Sequence, residues 1–110
     1  MATQGEPSLT EAMSRLWLKF LPQIVERVTT LETAAEALSE GILTSAQREE
    51  AVLAAHKLAG VLGTFGLAEG TALAREAEIF YSQTGSSSVA DSQRLSEAAV
   101  QLRNMIASRK

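Results

Sequence analysis

The chain has 110 residues and a formal charge of −3, with no cysteine and a single histidine. One domain fits that length, and a chain of this size buries roughly two-thirds of its unfolded surface. Disulfides, thiolate sites and multi-histidine metal centres are excluded. The mild acidity argues against nucleic acid as a partner, because phosphate binding needs a basic stripe. No apolar run approaches the length of a membrane span, and the N-terminus lacks the basic start and apolar stretch of a signal peptide. A small, soluble, cytoplasmic and monomeric domain is expected.

Ala, Leu, Glu, Gln and Arg dominate, and proline occurs only at Pro7 and Pro22. That composition predicts an all-α protein. Residues 1–7 read as a flexible tail and residues 8–110 as one domain. A first short helix starts at Ser8, where Glu11 three residues on suggests a capping box. Its apolar positions are Leu9, Met13, Leu16, Trp17 and Phe20. Pro22 is expected to stop or kink it, since proline lacks an N–H and clashes with the preceding turn. A second helix runs from Pro22 to Ser39 on a stripe of Ile24, Val28, Leu31, Ala35 and Leu38, with Gly41 as its cap. A third runs from Thr44 or Ser45 to Phe65, ended by Gly66. A fourth covers Ala68 to Gln83, with Leu73, Ala77 and Phe80 inward. The Gly/Ser-rich stretch from Thr84 to Ser88 reads as a loop. A last helix spans Val89 to Ser108 on Leu95, Ala98, Leu102, Met105 and Ile106. Short connections place successive helices antiparallel. The expected architecture is an antiparallel up-down four-helix bundle with an additional short N-terminal helix covering one end. The loose start, and an end just after the last helix, suggest a piece of a longer regulator.

The third helix carries the histidine. At about 100° per residue, Ala54, Leu58, Val61 and Phe65 fall within about 40° of the direction opposite His56. That stripe is the core face, so His56 points away from it. An idle solvated face carries Glu, Lys, Gln and Arg. His56 instead shares its face with Val52, Leu53, Ala59, Gly60 and Gly63. Each glycine inside a helix costs about 1 kcal/mol relative to alanine. Close helix packing is one reason to carry that cost; the approach of another group to the backbone is the other.

One histidine can be a base, a metal ligand or a nucleophile. Metal ligands are lacking, and the lone aspartate, Asp91, has no nucleophile-elbow pattern to complete a triad. A nucleophilic role needs only an exposed ring with one nitrogen fixed by a hydrogen bond. If the incoming group is a phosphoryl, a nearby cation must balance its charge. In the fourth helix Thr71, Arg75, Glu78 and Ser82 share a polar stripe. Bordering His56, it would let Glu78 orient the ring and Arg75 meet the phosphoryl group. A solvated face with local ion pairs is the plainer alternative. Lys57, adjacent in sequence though about 100° round the helix, is the other candidate for that cation.

The stretch Ala55-His56-Lys57-Leu58-Ala59-Gly60-Val61-Leu62-Gly63-Thr64-Phe65-Gly66 resembles the centre of the histidine phosphotransfer family, A-H-x-L-K-G followed by small residues and a helix-ending glycine. Its G-T-F-G ending is similar to the phosphotransfer domain of chemotaxis histidine kinases. The resemblance implies a four-helix bundle with an extra N-terminal helix. It also implies that His56 accepts a phosphoryl group on Nε2 and exchanges it with the aspartate of a response-regulator receiver domain. Gly60 matches the glycine that leaves room beside the phosphate. Glu78 falls where the chemotaxis-type domains carry a glutamate bonded to the histidine, and Arg75 where they carry another active-site histidine. The family's usual lysine three residues after the histidine is replaced by Ala59, although some members also read H-K-L-A-G.

The implied partners are a receiver domain and a histidine kinase, with Val52 and Leu53 as docking residues. No cofactor of its own is expected; Mg²⁺ is expected on the receiver. The chain has no glycine-rich phosphate loop and no room for an ATP-binding domain, so it is no kinase by itself. The alternative is a helical docking domain that binds a receiver or kinase without transfer.

Overall fold

In the computed structural model, which describes residues 8–83 and 88–109, the chain forms α1 (Leu9–Ser39), α2 (Ser45–Thr64), α3 (Ala68–Ser82) and α4 (Val89–Ser108). No strand occurs among the described residues. The expected tail at residues 1–7 and most of the expected loop, residues 84–87, lie outside them.

Local chemistry sets the helix ends. Thr44 and Ser88 each form a complete capping box, with Gln47 and Asp91 as their reciprocal partners. At Ser8 only the forward half is made: its hydroxyl accepts from the Glu11 N–H at 3.1 Å. Gly41 and Gly66 adopt φ of 73° and 75°. This left-handed turn lets the Ile42 N–H reach the Ala37 carbonyl and the Leu67 N–H reach that of Leu62, each at 2.9 Å.

Pro22 does not divide the first helix. It lies inside the continuous α1, where its missing N–H leaves the Leu18 carbonyl without a helical partner. Pro22 and Leu18 are both exposed, so water can serve that carbonyl. Trp17 and Ile24, buried on either side, hold both halves against the bundle. The additional N-terminal segment is therefore the first turns of α1 and not a separate helix. Its expected inward stripe is only partly inward. Trp17 is buried, but Leu9, Leu16 and Phe20 are exposed.

Each helix packs on its neighbours in sequence, and α4 closes against α1. Arg103 of α4 makes a bidentate pair with Glu32 of α1, both bonds at 2.7 Å. That hydrogen bond, ahead of the Arg103 charge, holds the Glu32 carboxyl below its ordinary pKa. Farther along the same two helices, the guanidinium of Arg109 lies 4.8 Å from the Trp17 ring centre. Moving forward on α4 thus moves backward on α1, as an up-down bundle requires. Trp17 meets Phe65 edge-on at 5.2 Å and covers that end of the bundle. Elsewhere the core is rich in alanine, including Ala51, Ala55, Ala59, Ala74 and Ala77. Small residues let helix axes approach closely, and α2 and α3 share the most extensive contact among the described helices. That pair carries the histidine.

Candidate functional site

Two observations fix how α2 and α3 face each other. His56 Nδ1 lies 2.9 Å from Glu78 Oε2. Two turns farther along α2, a Cβ on Gly63 would stand 3.4 Å from Thr71 Oγ1. Between them the Thr71 hydroxyl donates to the Ala59 carbonyl at 3.0 Å. The helices run antiparallel in one register, and Glu78 and Thr71 project from the same stripe of α3.

The carboxylate decides the tautomer of the ring. An ionised Glu78 can only accept, so Nδ1 carries a proton, and in the neutral ring the lone pair then lies on Nε2. The His56 side chain is 70% exposed and that of Glu78 only 24%. The ring is thus held from behind at one nitrogen and open to solvent at the other. The turn of α2 that follows it is bare. An added Cβ at Gly60 would meet no atom within 4 Å, so packing inside the molecule does not require a glycine there.

A family model described as the Hpt domain matches residues 15–110, most of the chain. The chain belongs to the Hpt family. No curated protein and no solved structure matches it. The family assigns the Hpt domain a histidine phosphotransfer role in a phosphorelay, and the helical bundle described above is consistent with that fold.

The Hpt domain places the other expected residues unequally. Arg75 is exposed on the stripe it shares with Glu78 and Thr71. Lys57 is exposed on the flank of α2 away from α3. Ala59 does not share the open face of His56. It is buried against α3, because at three residues from the histidine it rotates toward the neighbouring helix. Gly63 differs from Gly60 in that an added Cβ would come into van der Waals contact with Thr71. Val52 is partly buried and Leu53 is 59% exposed.

Three features escaped the helical wheel. Ile79, next to Glu78, is 61% exposed; its exposure depends on which side of α3 is left uncovered. The Thr71–Ala59 bond depends on register between helices. The third is an open cleft of about 620 Å3 beginning one turn before His56, lined by Ser45, Arg48, Val52, Leu53, Tyr81 and Ser82. Arg48 crosses toward α3 and donates to the carbonyls of Tyr81 and Gln83 at 3.4 and 2.8 Å. The Tyr81 hydroxyl is buried with no partner among the described residues. Burial pushes its pKa up to about 12, with the Arg48 charge opposing. Among the described residues no group of three or more His, Cys, Asp or Glu is placed to hold a metal ion, and no helix is long and apolar enough to cross a membrane.

Proposed function

We propose that His56 is the phosphoacceptor of this Hpt domain and exchanges its phosphoryl group with the aspartate of a receiver domain. The observation that supports this is the His56–Glu78 bond, which in the neutral ring assigns the proton to Nδ1 and the lone pair to Nε2 of an exposed side chain. A histidine phosphotransfer domain needs a histidine, and this chain has one.

The transfer balances as follows. The Nε2 lone pair attacks phosphorus of the receiver's aspartyl phosphate, the N–P bond forms, and the bond to the aspartyl oxygen breaks. The aspartate leaves as a carboxylate. The Nδ1 proton stays in place, so the ring becomes an N-phosphoryl imidazolium whose positive charge faces Glu78. Reversal sends the group back. Positioning and charge stabilisation supply catalysis in phosphoryl transfer. The magnesium ion, the aspartate and most of the stabilising charge belong to the receiver, and this domain supplies a rigidly held nucleophile. Leu53 on α2 and Ile79 on α3 flank the His56–Glu78 pair, and with Val52 they supply the apolar part of the docking surface. A histidine kinase stands elsewhere in the same relay. We place the reaction in the cytoplasm, on a monomeric domain.

The test is incubation with a phosphorylated receiver domain, read by intact mass. An acid-labile, base-stable adduct that disappears in His56→Gln is expected. Receivers that bind without transferring would support a docking domain instead, the outcome that Ala59 in the lysine position would then explain.

A further inference from the structure

A phosphoryl group on a histidine brings two negative charges next to a carboxylate, and the local sequence does not supply the usual lysine to balance them. We infer that Arg75 supplies this charge from across the helix pair, and that Lys57 does not; the inference rests on the proposed phosphorylation of His56.

Register carries the argument. Each step forward along α2 is a step back along α3. His56 stands opposite Glu78 and Gly63 opposite Thr71, so the residue opposite Ala59 is Arg75. Arg75 lies between Thr71 and Glu78 on the stripe of α3 that touches α2. It therefore stands level with the bare turn of Ala59 and Gly60, one turn from the histidine. Packed helix axes lie about 8–10 Å apart, a gap that an arginine side chain bridges. Ala59 is buried with its carbonyl bonded to Thr71, and Gly60 has no side chain to obstruct the guanidinium.

The state of the side chain agrees. Arg48, Arg94 and Arg103 are tied down by backbone carbonyls, Glu76 and Glu32. Arg75 is exposed and makes no hydrogen bond or ion pair among the described residues. Its planar fork of donors suits the phosphoryl oxygens. Lys57 has the wrong direction. The α2 residues that meet α3 (His56, Ala59, Leu62 and Gly63) lie between about 240° and 360° when His56 is set at zero, and Lys57 lies at about 100°.

The experiment uses potassium phosphoramidate as donor, so that no partner protein is involved. Wild type, Arg75→Gln, Arg75→Lys, Lys57→Gln and His56→Gln are followed by intact mass and phosphorus NMR. Arg75→Gln should form the adduct about tenfold more slowly, the scale of one lost charge-assisted bond at an exposed site. Its phosphoryl group should also titrate at higher pH, because the nearby cation no longer favours the dianion. Arg75→Lys should recover much of both, and Lys57→Gln should match wild type. Since Arg75 is exposed, the melting temperatures should stay together. Wild-type rate and titration in Arg75→Gln, or the whole effect in Lys57→Gln, would overturn the role of Arg75. A wild-type protein that is not labelled, or labelling that survives in His56→Gln, would instead overturn the phosphoacceptor itself, and the role of Arg75 with it.

Discussion

Replacing Gly60 separates two reasons a helix can carry a glycine. In a helix interior, glycine is less stable than alanine by about 0.5–1 kcal/mol. If Gly60 were kept for internal packing, alanine would forfeit that gain to a clash. An added Cβ meets nothing within 4 Å, so Gly60→Ala should be more stable by about 0.5–1 kcal/mol. For a chain of this length the melting temperature should rise by about 2–4 °C. Gly60→Gln should also fold at least as well as wild type, yet its side chain occupies the space beside the His56 ring. Transfer from a phosphorylated receiver should then fall by at least about tenfold. Gly70 is the internal control. A Cβ there would lie 2.9 Å from Leu62 Cδ1 and 3.0 Å from Met105 Sδ, the ends of two flexible side chains that must shift to admit it. Gly70→Ala should therefore gain less stability than Gly60→Ala, the same propensity gain being offset by that repacking. Thermal and urea unfolding followed by circular dichroism measure both. A destabilised Gly60→Ala, or a Gly60→Gln that transfers at the wild-type rate, would refute the assignment of Gly60 to the incoming group.

Phe65→Ala should lose about 3–5 kcal/mol in urea unfolding, because the buried ring packs edge-on to Trp17 and under Arg109. Glu78→Gln should keep the fold and slow transfer about five- to tenfold, the difference between a charged and a neutral hydrogen bond; an unchanged rate would show that the ring needs no orienting carboxylate. The Tyr81 phenol titrates near 12 when folded against 10.0 for the free group. Between these values the unfolded chain has released a proton that the folded chain retains, so stability is fully present below pH 10 and falls as pH rises toward 12. Tyr81→Phe should remove that alkaline decline, and near neutral pH it should unfold at about the wild-type urea concentration, since the lost hydroxyl has no partner among the described residues.

Helical periodicity is a local property, and whatever depends on it could be read from the chain alone. The wheel turned His56 away from Ala54, Leu58 and Phe65, and the ring is exposed while those residues are buried. Gly41 and Gly66 mark helix ends because a left-handed turn is a local demand. The polar stripe of Thr71, Arg75 and Glu78 was likewise visible, though not what it would face. Pro22 shows the limit. Its local effect is to weaken a helix, but packing of Trp17 and Ile24 on either side keeps α1 whole. The site shows the same limit. A wheel gives the direction of a side chain on its own helix and says nothing of the rotation or register of the next. Only tertiary packing could bring Glu78 to His56, bury Ala59 against α3 and set Arg75 opposite it. Only packing could sort three glycines alike in sequence by what an added Cβ would meet: nothing at Gly60, an ordinary contact at Gly63 and a crowded one at Gly70. Those distinctions lie in distances between helices, which close contact of small side chains fixes once the bundle has formed.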